Sequence, residues 1–228
     1  AIVEDDVYRM DGIKRDTNKM RLLLRSLARN ESTTVTNRTL KNDVKEIDDE
    51  DIDANTINEY LNIFERLFLI NNQKPFAASV RSSVRIKQAV KRHFVDPSIS
   101  AALLGVTSSS LLNDLETLGL LFEALCERDL QIYADAFGGS LYHYQDYKNR
   151  EIDAVVECPD GEWCAFEIKL GANQIDAAAE GLLRLKAEFE ADPRGRPPKV
   201  LCVLCGLSNA AYQRPDGVFV VPLTALRD

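Results

Sequence analysis

The sequence predicts an α/β protein in two parts: a winged helix-turn-helix over residues 1–96 and an α/β sandwich over residues 97–228. Three observations predict it. Apolar residues recur at helical spacing between residues 17 and 70, and a basic, strand-like stretch comes after them. The pattern changes at Asp96-Pro97, which places the domain boundary near residues 95–100. Beyond it come an apolar helix, three strand-like runs, a second helix and two buried strands.

Along the chain, residues 1–17 are polar and uneven. "TNKMRLLLRSLARNE" carries Met20, Leu23, Leu24 and Leu27 on one helical face, and "TNRTLKNDVKE" predicts a shorter helix. "DANTINEYLNIFERLFLI" is the clearest helix. Ile57, Tyr60, Leu61, Phe64, Leu67 and Phe68 form its stripe, and Asp53 or Asn55 caps its start. "SVRSSVRIKQAVKRHFVD" predicts short strands, the wing of the first domain. Residues 98–131 are apolar and helical around "SLLNDLETLGLLFEALCERDL". "SLYHYQD", "EIDAVVEC" and "EWCAFEIKL" then read as strands, and "NQIDAAAEGLLRLKAEFEAD" as a helix stopped by "PRGRPP". "KVLCVLCG" and "VFVVPL" close the sheet as buried strands.

The bulk numbers bound the function. With 45% hydrophobic and 28% charged residues the composition is that of a globular domain. The net charge of −8 excludes a surface coated in phosphate-binding charge, although a local basic patch remains compatible with it. No apolar run is long enough to span a bilayer and no signal-peptide pattern opens the chain. Five scattered cysteines fit a reduced, cytoplasmic setting better than a disulfide framework. A start at Ala1 without Met points to a fragment or a processed chain. Cys202 and Cys205 make a C-x-x-C, but their odd spacing on a strand sends the thiols to opposite faces, so we expect core cysteines rather than zinc ligands.

The chemistry concentrates in one hairpin. In "ECPDGEW", Pro159 fits the second position of a type I turn and Gly161 the left-handed position after it. A three-residue loop with a bulge at the glycine sets Cys158 against Glu162. Counting back, Asp153 lies opposite Glu167 and Glu151 opposite Lys169 on one face, while Ile152 pairs with Ile168 and Ala154 with Phe166 on the other. Opposed carboxylates repel unless a cation or a shared proton separates them. Such a pair suits a hard, oxygen-seeking ion, Mg²⁺ above all. The plainer reading is a cross-strand ion pair between Glu151 and Lys169 with Asp153 and Glu167 solvated. A two-residue Asp160-Gly161 turn would shift the register by one and dissolve the block.

Asp153 followed by Glu167-Ile168-Lys169 resembles the PD-(D/E)xK nuclease superfamily. The wider string "GLLFEALCERDL … YHYQDYKNREIDAVVE … CAFEIKLG" resembles the C-terminal domain of unknown function of a family of bacterial and archaeal AAA-type ATPases, in which a winged helix precedes a nuclease-like domain. The resemblance covers the chain from about Arg15 to its end. It implies that Asp153 and Glu167 bind Mg²⁺ or Mn²⁺ with help from the Ile168 carbonyl. It also implies that Lys169 steadies the attacked phosphate or a water, that Glu123 is a secondary acid and that Glu151 supports the site. No G-x-x-x-x-G-K-[ST] occurs, so ATP and the ATPase domain would enter only through a longer natural protein. A nuclease fold can also be kept for binding alone.

For the first domain, the acidic run "KEIDDEDID" repels phosphate just before the helix that would enter a DNA groove. The wing is basic, so Arg81, Arg85, Lys87, Lys91 and Arg92 are the candidate nucleic-acid contacts, against a winged helix that only packs on protein. Three functions remain open: a Mg²⁺-dependent nuclease module driven by an ATPase, a non-catalytic DNA- or protein-binding module, and a DNA-tethering regulator.

Overall fold

The computed structural model describes residues 5–49, 51–77, 90–146, 150–193 and 195–226. These fall into two compact units, residues 5–72 with 90–121 and residues 73–77 with 122–226. The protein is mixed α/β.

The first unit holds α1 (Val7–Asp11), α2 (Thr17–Arg29), α3 (Asn37–Asp48), α4 (Ala54–Arg66), β2 (Lys91–Phe94), α5 (Pro97–Leu104) and α6 (Ser108–Leu111). It also holds the start of β1 (Ile70–Pro75), next to β2 in the sheet, and the start of α7 (Leu115–Ala136). Side-chain caps fix the helix starts. Asp16 accepts from the Asn18 and Lys19 amides, Thr36 from that of Thr39, and Asp53 from those of Asn55 and Thr56. Met20, Leu23, Leu40, Val44, Ile57 and Phe64 build the core beneath them.

Two expectations change in this unit. The stripe on α4 was expected to run on to Phe68, but the helix ends at Arg66. Phe68 turns into the left-handed region at φ 54° and is 80% exposed. Its amide donates to the Glu65 carbonyl and that of Leu69 to the Phe64 carbonyl, bonds that close the helix. Asp96-Pro97, read as a domain boundary, is a helix start. Asp96 accepts from the Ser98 amide with Pro97 in the first turn of α5, and α5 and α6 belong to the first unit.

In the second unit the strand order is β1–β3–β4–β5–β6–β8–β7. The strands are β3 (Ser140–Gln145), β4 (Glu151–Glu157), β5 (Trp163–Lys169), β6 (Val200–Cys205), β7 (Tyr212–Gln213) and β8 (Phe219–Val221). β3, β4 and β5 form an antiparallel meander, while β5, β6 and β8 run parallel. Parallel strands need a crossover, and α8 (Ile175–Ala191) supplies it between β5 and β6. Leu182 and Leu185 of α8 share a cluster with Val155, Trp163, Ala165 and Val203. Cys126 and Leu130 of α7 share another with Ala154, Val156, Ile168 and Leu204. Cys202 lies in the α7 cluster and Cys205 in the α8 cluster, so the C-x-x-C does point to opposite faces. β7 went unread because two residues show no alternation.

Among the described residues no helix is long and apolar enough to cross a membrane.

Candidate functional site

The turn Pro159-Asp160-Gly161 forms as its chemistry predicts. The Gly161 amide donates to the Cys158 carbonyl at 2.9 Å, the Cys158 amide to the Glu162 carbonyl at 2.8 Å, and Gly161 takes φ 82°. The register is set by it: Glu157 faces Trp163, Val156 faces Cys164, Val155 faces Ala165 and Ala154 faces Phe166.

Beyond Ala154 the ladder changes. On the other edge of β4, Tyr142 pairs with Val155 but Tyr144 pairs with Ile152, so one residue of β3, His143, spans two of β4, Asp153 and Ala154. That is a β-bulge, and it re-aims the side chains on its far side. In an unbroken ladder the Ile168 amide would donate to the Ile152 carbonyl. Instead it donates to Asp153 Oδ2 at 2.7 Å. Ile152, expected on the face of Ala154, packs with Val155 in the α8 cluster. Glu151, expected opposite Lys169, turns with it. It pairs with Gln145 and accepts from that residue's Nε2 at 2.5 Å. The alternation count was correct as far as Ala154 and failed by one residue beyond it, because nothing in "REIDAVV" announces a bulge.

Asp153, Glu167 and Lys169 nevertheless come together. Lys169 Nζ lies 3.0 Å from Asp153 Oδ2 and 2.7 Å from Glu167 Oε2, and the side chains are 12%, 14% and 27% exposed for Asp153, Glu167 and Lys169. Burial, then the Asp153 charge beside it, pushes the Glu167 carboxyl well above the usual carboxylate range, with Lys169 opposing the shift. For Lys169 burial alone would lower the proton affinity, but Asp153 and Glu167 outweigh it and hold it above its ordinary value. The cluster thus sets a cation between its opposed acids, and burial beside Asp153 favours the protonated form of Glu167.

Glu123 sits half-buried on α7. Burial, and then the charges of Glu127, Asp129, Glu123 and Asp153, push the Cys126 thiol up. Sequence reasoning missed Glu127 and His143, 0% and 3% exposed. Glu127 was legible as a second acid one turn beyond Glu123; a lone histidine in a strand gave no signal. Gln174 closes the loop after β5, accepting from the Gly171 amide at 3.1 Å. Among the described residues no group of three or more His, Cys, Asp or Glu stands arranged to hold a metal.

The basic candidates of the expected wing fare differently. Arg81, Arg85 and Lys87 lie outside the described residues. Lys91 is buried at 6% exposure rather than presented to solvent. The Arg92 side chain donates to the Val35 carbonyl at 3.0 Å and its amide to the Thr33 carbonyl. Lys91 is buried and the half-buried Arg92 is tied to backbone carbonyls, which sequence charge alone cannot reveal.

Residues 1–110 match the family model of a domain of unknown function (DUF8612), and residues 118–226 match that of another domain of unknown function (DUF4143). No curated protein and no solved structure matches the chain.

Proposed function

We propose that the second unit is a nuclease-like module that binds a divalent cation and acts on nucleic-acid phosphodiesters, within an ATPase-associated protein. The observation that carries this reading is the contact of Asp153, Glu167 and Lys169 at the end of one hairpin, the charge set of the PD-(D/E)xK pattern. The C-terminal match to a domain known in AAA-ATPase-associated proteins supports the context.

The residues present fit Mg²⁺ or Mn²⁺ in one respect. Mg²⁺ keeps several waters and is commonly held by one or two carboxylates, so a pair of oxygen donors is enough. Asp153 and Glu167 would hold the ion, with the Ile168 carbonyl beside them and Glu123 as an outer acid. The ion would supply Lewis acidity and an activated water. Any proton on Glu167 would pass to solvent as the ion enters, Lys169 would exchange a carboxylate for a phosphate oxygen, and the Ile168 amide would keep Asp153 oriented.

A second reading has its own support. Lys169 already bridges the two acids, and no three-donor group stands ready among the described residues. A closed cluster of that kind suits a non-catalytic DNA- or protein-binding module. In either case an N-terminal winged helix would serve as an adaptor, with DNA contact left to Arg81, Arg85 and Lys87.

The deciding experiment is calorimetric titration of the chain with Mn²⁺ and Mg²⁺, paired with cleavage assays on single- and double-stranded DNA and RNA. Binding that vanishes in Asp153→Asn, with cleavage that vanishes in Lys169→Ala, establishes the nuclease reading. No heat and no cleavage at millimolar ion leaves the binding module.

A further inference from the structure

We infer that the first unit associates with a second copy of this chain, Phe68 of one copy entering the apolar cleft beside Arg29 of the other. The inference goes beyond the nuclease-like reading, since it uses neither the second unit nor its charged cluster.

Phe68 is the knob. The two bonds that close α4 make a Schellman cap: the Leu69 amide donates to the Phe64 carbonyl at 2.9 Å and the Phe68 amide to the Glu65 carbonyl at 3.0 Å. Phe68 therefore holds the left-handed position of the cap, at φ 54°. Glycine is the usual residue there, because a Cβ in that region crowds the following carbonyl. Burial of the ring does not offset the strain, as the residue is 80% exposed. A strained backbone that presents an aromatic ring to water is a liability in the lone chain and an anchor in a complex. The same two bonds fix the backbone that carries the ring, so little ordering is left to lose on binding.

The cleft lies in the same unit. Ala28 of α2, Leu104 of α5, and Leu120 and Leu121 near the start of α7 line a space of about 180 Å³. An apolar cavity of roughly 150 Å³ is enough to take a benzene ring. Glu31 also lines the cleft, but its carboxylate is engaged within the unit, accepting from the Phe94 amide at 2.9 Å and from Ser100 Oγ. Charge then selects the occupant. Arg29 lines the cleft and is exposed, and Glu65, three residues before Phe68, is exposed in the last turn of α4. A knob with an acid beside it thus meets a hole with a base beside it. Both halves are carried by one chain, so a second copy supplies what each half lacks. Two copies joined by one such contact still hold a knob and a cleft, which meet across a two-fold axis or go on to a third copy.

The test is sedimentation equilibrium of the full chain, with a melting curve for each variant. The mass of the wild type should rise with concentration. Phe68→Gly should be monomeric and melt no lower than the wild type, because glycine relieves the cap and no buried contact is lost. Leu120→Arg changes a half-buried residue of the cleft that lies outside the core cluster of the unit, and it should also be monomeric. An equimolar mixture of the two should reach the mass of a dimer and stop there, since one variant keeps the cleft and the other the knob. Arg29→Glu and Glu65→Arg should each weaken association, and their mixture should recover it, because every knob then finds a cleft of opposite charge. A wild type that stays monomeric up to about 1 mM overturns the inference, as does association that survives in Phe68→Gly. A mixture of Phe68→Gly and Leu120→Arg that stays monomeric, although both variants melt cooperatively, overturns the pairing of Phe68 with this cleft. Should Leu120→Arg not fold, the mixture of Arg29→Glu and Glu65→Arg is read by the same criterion.

Discussion

The two halves of the β4–β5 hairpin obey different rules. From the turn back to Ala154 every pair sits where turn chemistry and alternation place it, and the side chains divide between two apolar clusters. Past Ala154 the bulge breaks the count, a carboxylate stands in for a backbone carbonyl, and two acids and a lysine share a buried space. The regular half stores stability and sets the register. The irregular half gives up a ladder bond and gains a charged cluster. Local rules fail here at the place where the charged groups gather, and such failures are expected at functional or strained sites.

The largest break in this comparison should come from Lys169→Met. It removes the cation from the irregular half and leaves Asp153 buried beside a partner that must stay protonated. Deleting one member of a buried ion pair costs about 3 kcal/mol. Urea unfolding should show that loss at pH 8 and a smaller one at pH 6, where protonated Glu167 eases the repulsion. A loss under about 0.5 kcal/mol would mean that the pair is solvated.

The next effect is a slope. The Glu167 carboxyl binds its proton more tightly folded than unfolded, because burial and Asp153 raise its pKa. The folded state therefore holds more protons between the ordinary glutamate range and the raised value, and stability must fall as pH rises through that window, by at most about 1.4 kcal/mol per pH unit. Unfolding free energies from pH 5 to pH 9 should decline in the wild type and flatten in Glu167→Gln. A variant with an undiminished slope would place the titrating group elsewhere.

How much of this was legible depends on which half is considered. Asp53, Pro159 and Gly161 act through neighbours within a few residues, so sequence alone places them. The stripes of α2, α4 and α8 come from periodicity. The bulge is different. It falls opposite His143, ten residues before Asp153 in sequence, where β1 pairs Pro75 with that residue. No local pattern encodes a constraint from two other strands. Lys91 and Phe68 fail for related reasons: charge predicts exposure for the first and helical spacing burial for the second, and each is overruled by the backbone around it.

A smaller effect should come from the regular half. Gly161 lies at φ 82°, and a Cβ there would sit 3.0 Å from Arg196 Nη1. Gly161→Ala should cost about 1 kcal/mol. Because the register is also held by the Val155–Ala165 and Ala154–Phe166 pairs, the Ile168 amide should keep its protection. Exposure of that amide in Gly161→Ala would show that the halves are coupled through the turn.

The smallest effect separates the two accounts of Glu151. Had the ladder stayed regular, Glu151 would face Lys169, and its removal would disturb the charge balance of the cluster. The bulge turns it out to solvent, where it accepts from Gln145 Nε2 on the neighbouring strand and is exposed. An exposed side-chain hydrogen bond is worth little, so Glu151→Ala should change stability by less than about 0.5 kcal/mol. It should also leave the pH slope of the wild type in place, since that slope belongs to Glu167 and its neighbours Asp153 and Lys169. A shifted slope in Glu151→Ala would mean that the carboxylate approaches Lys169 in solution, and the regular register would then have to be restored as a populated state of the hairpin.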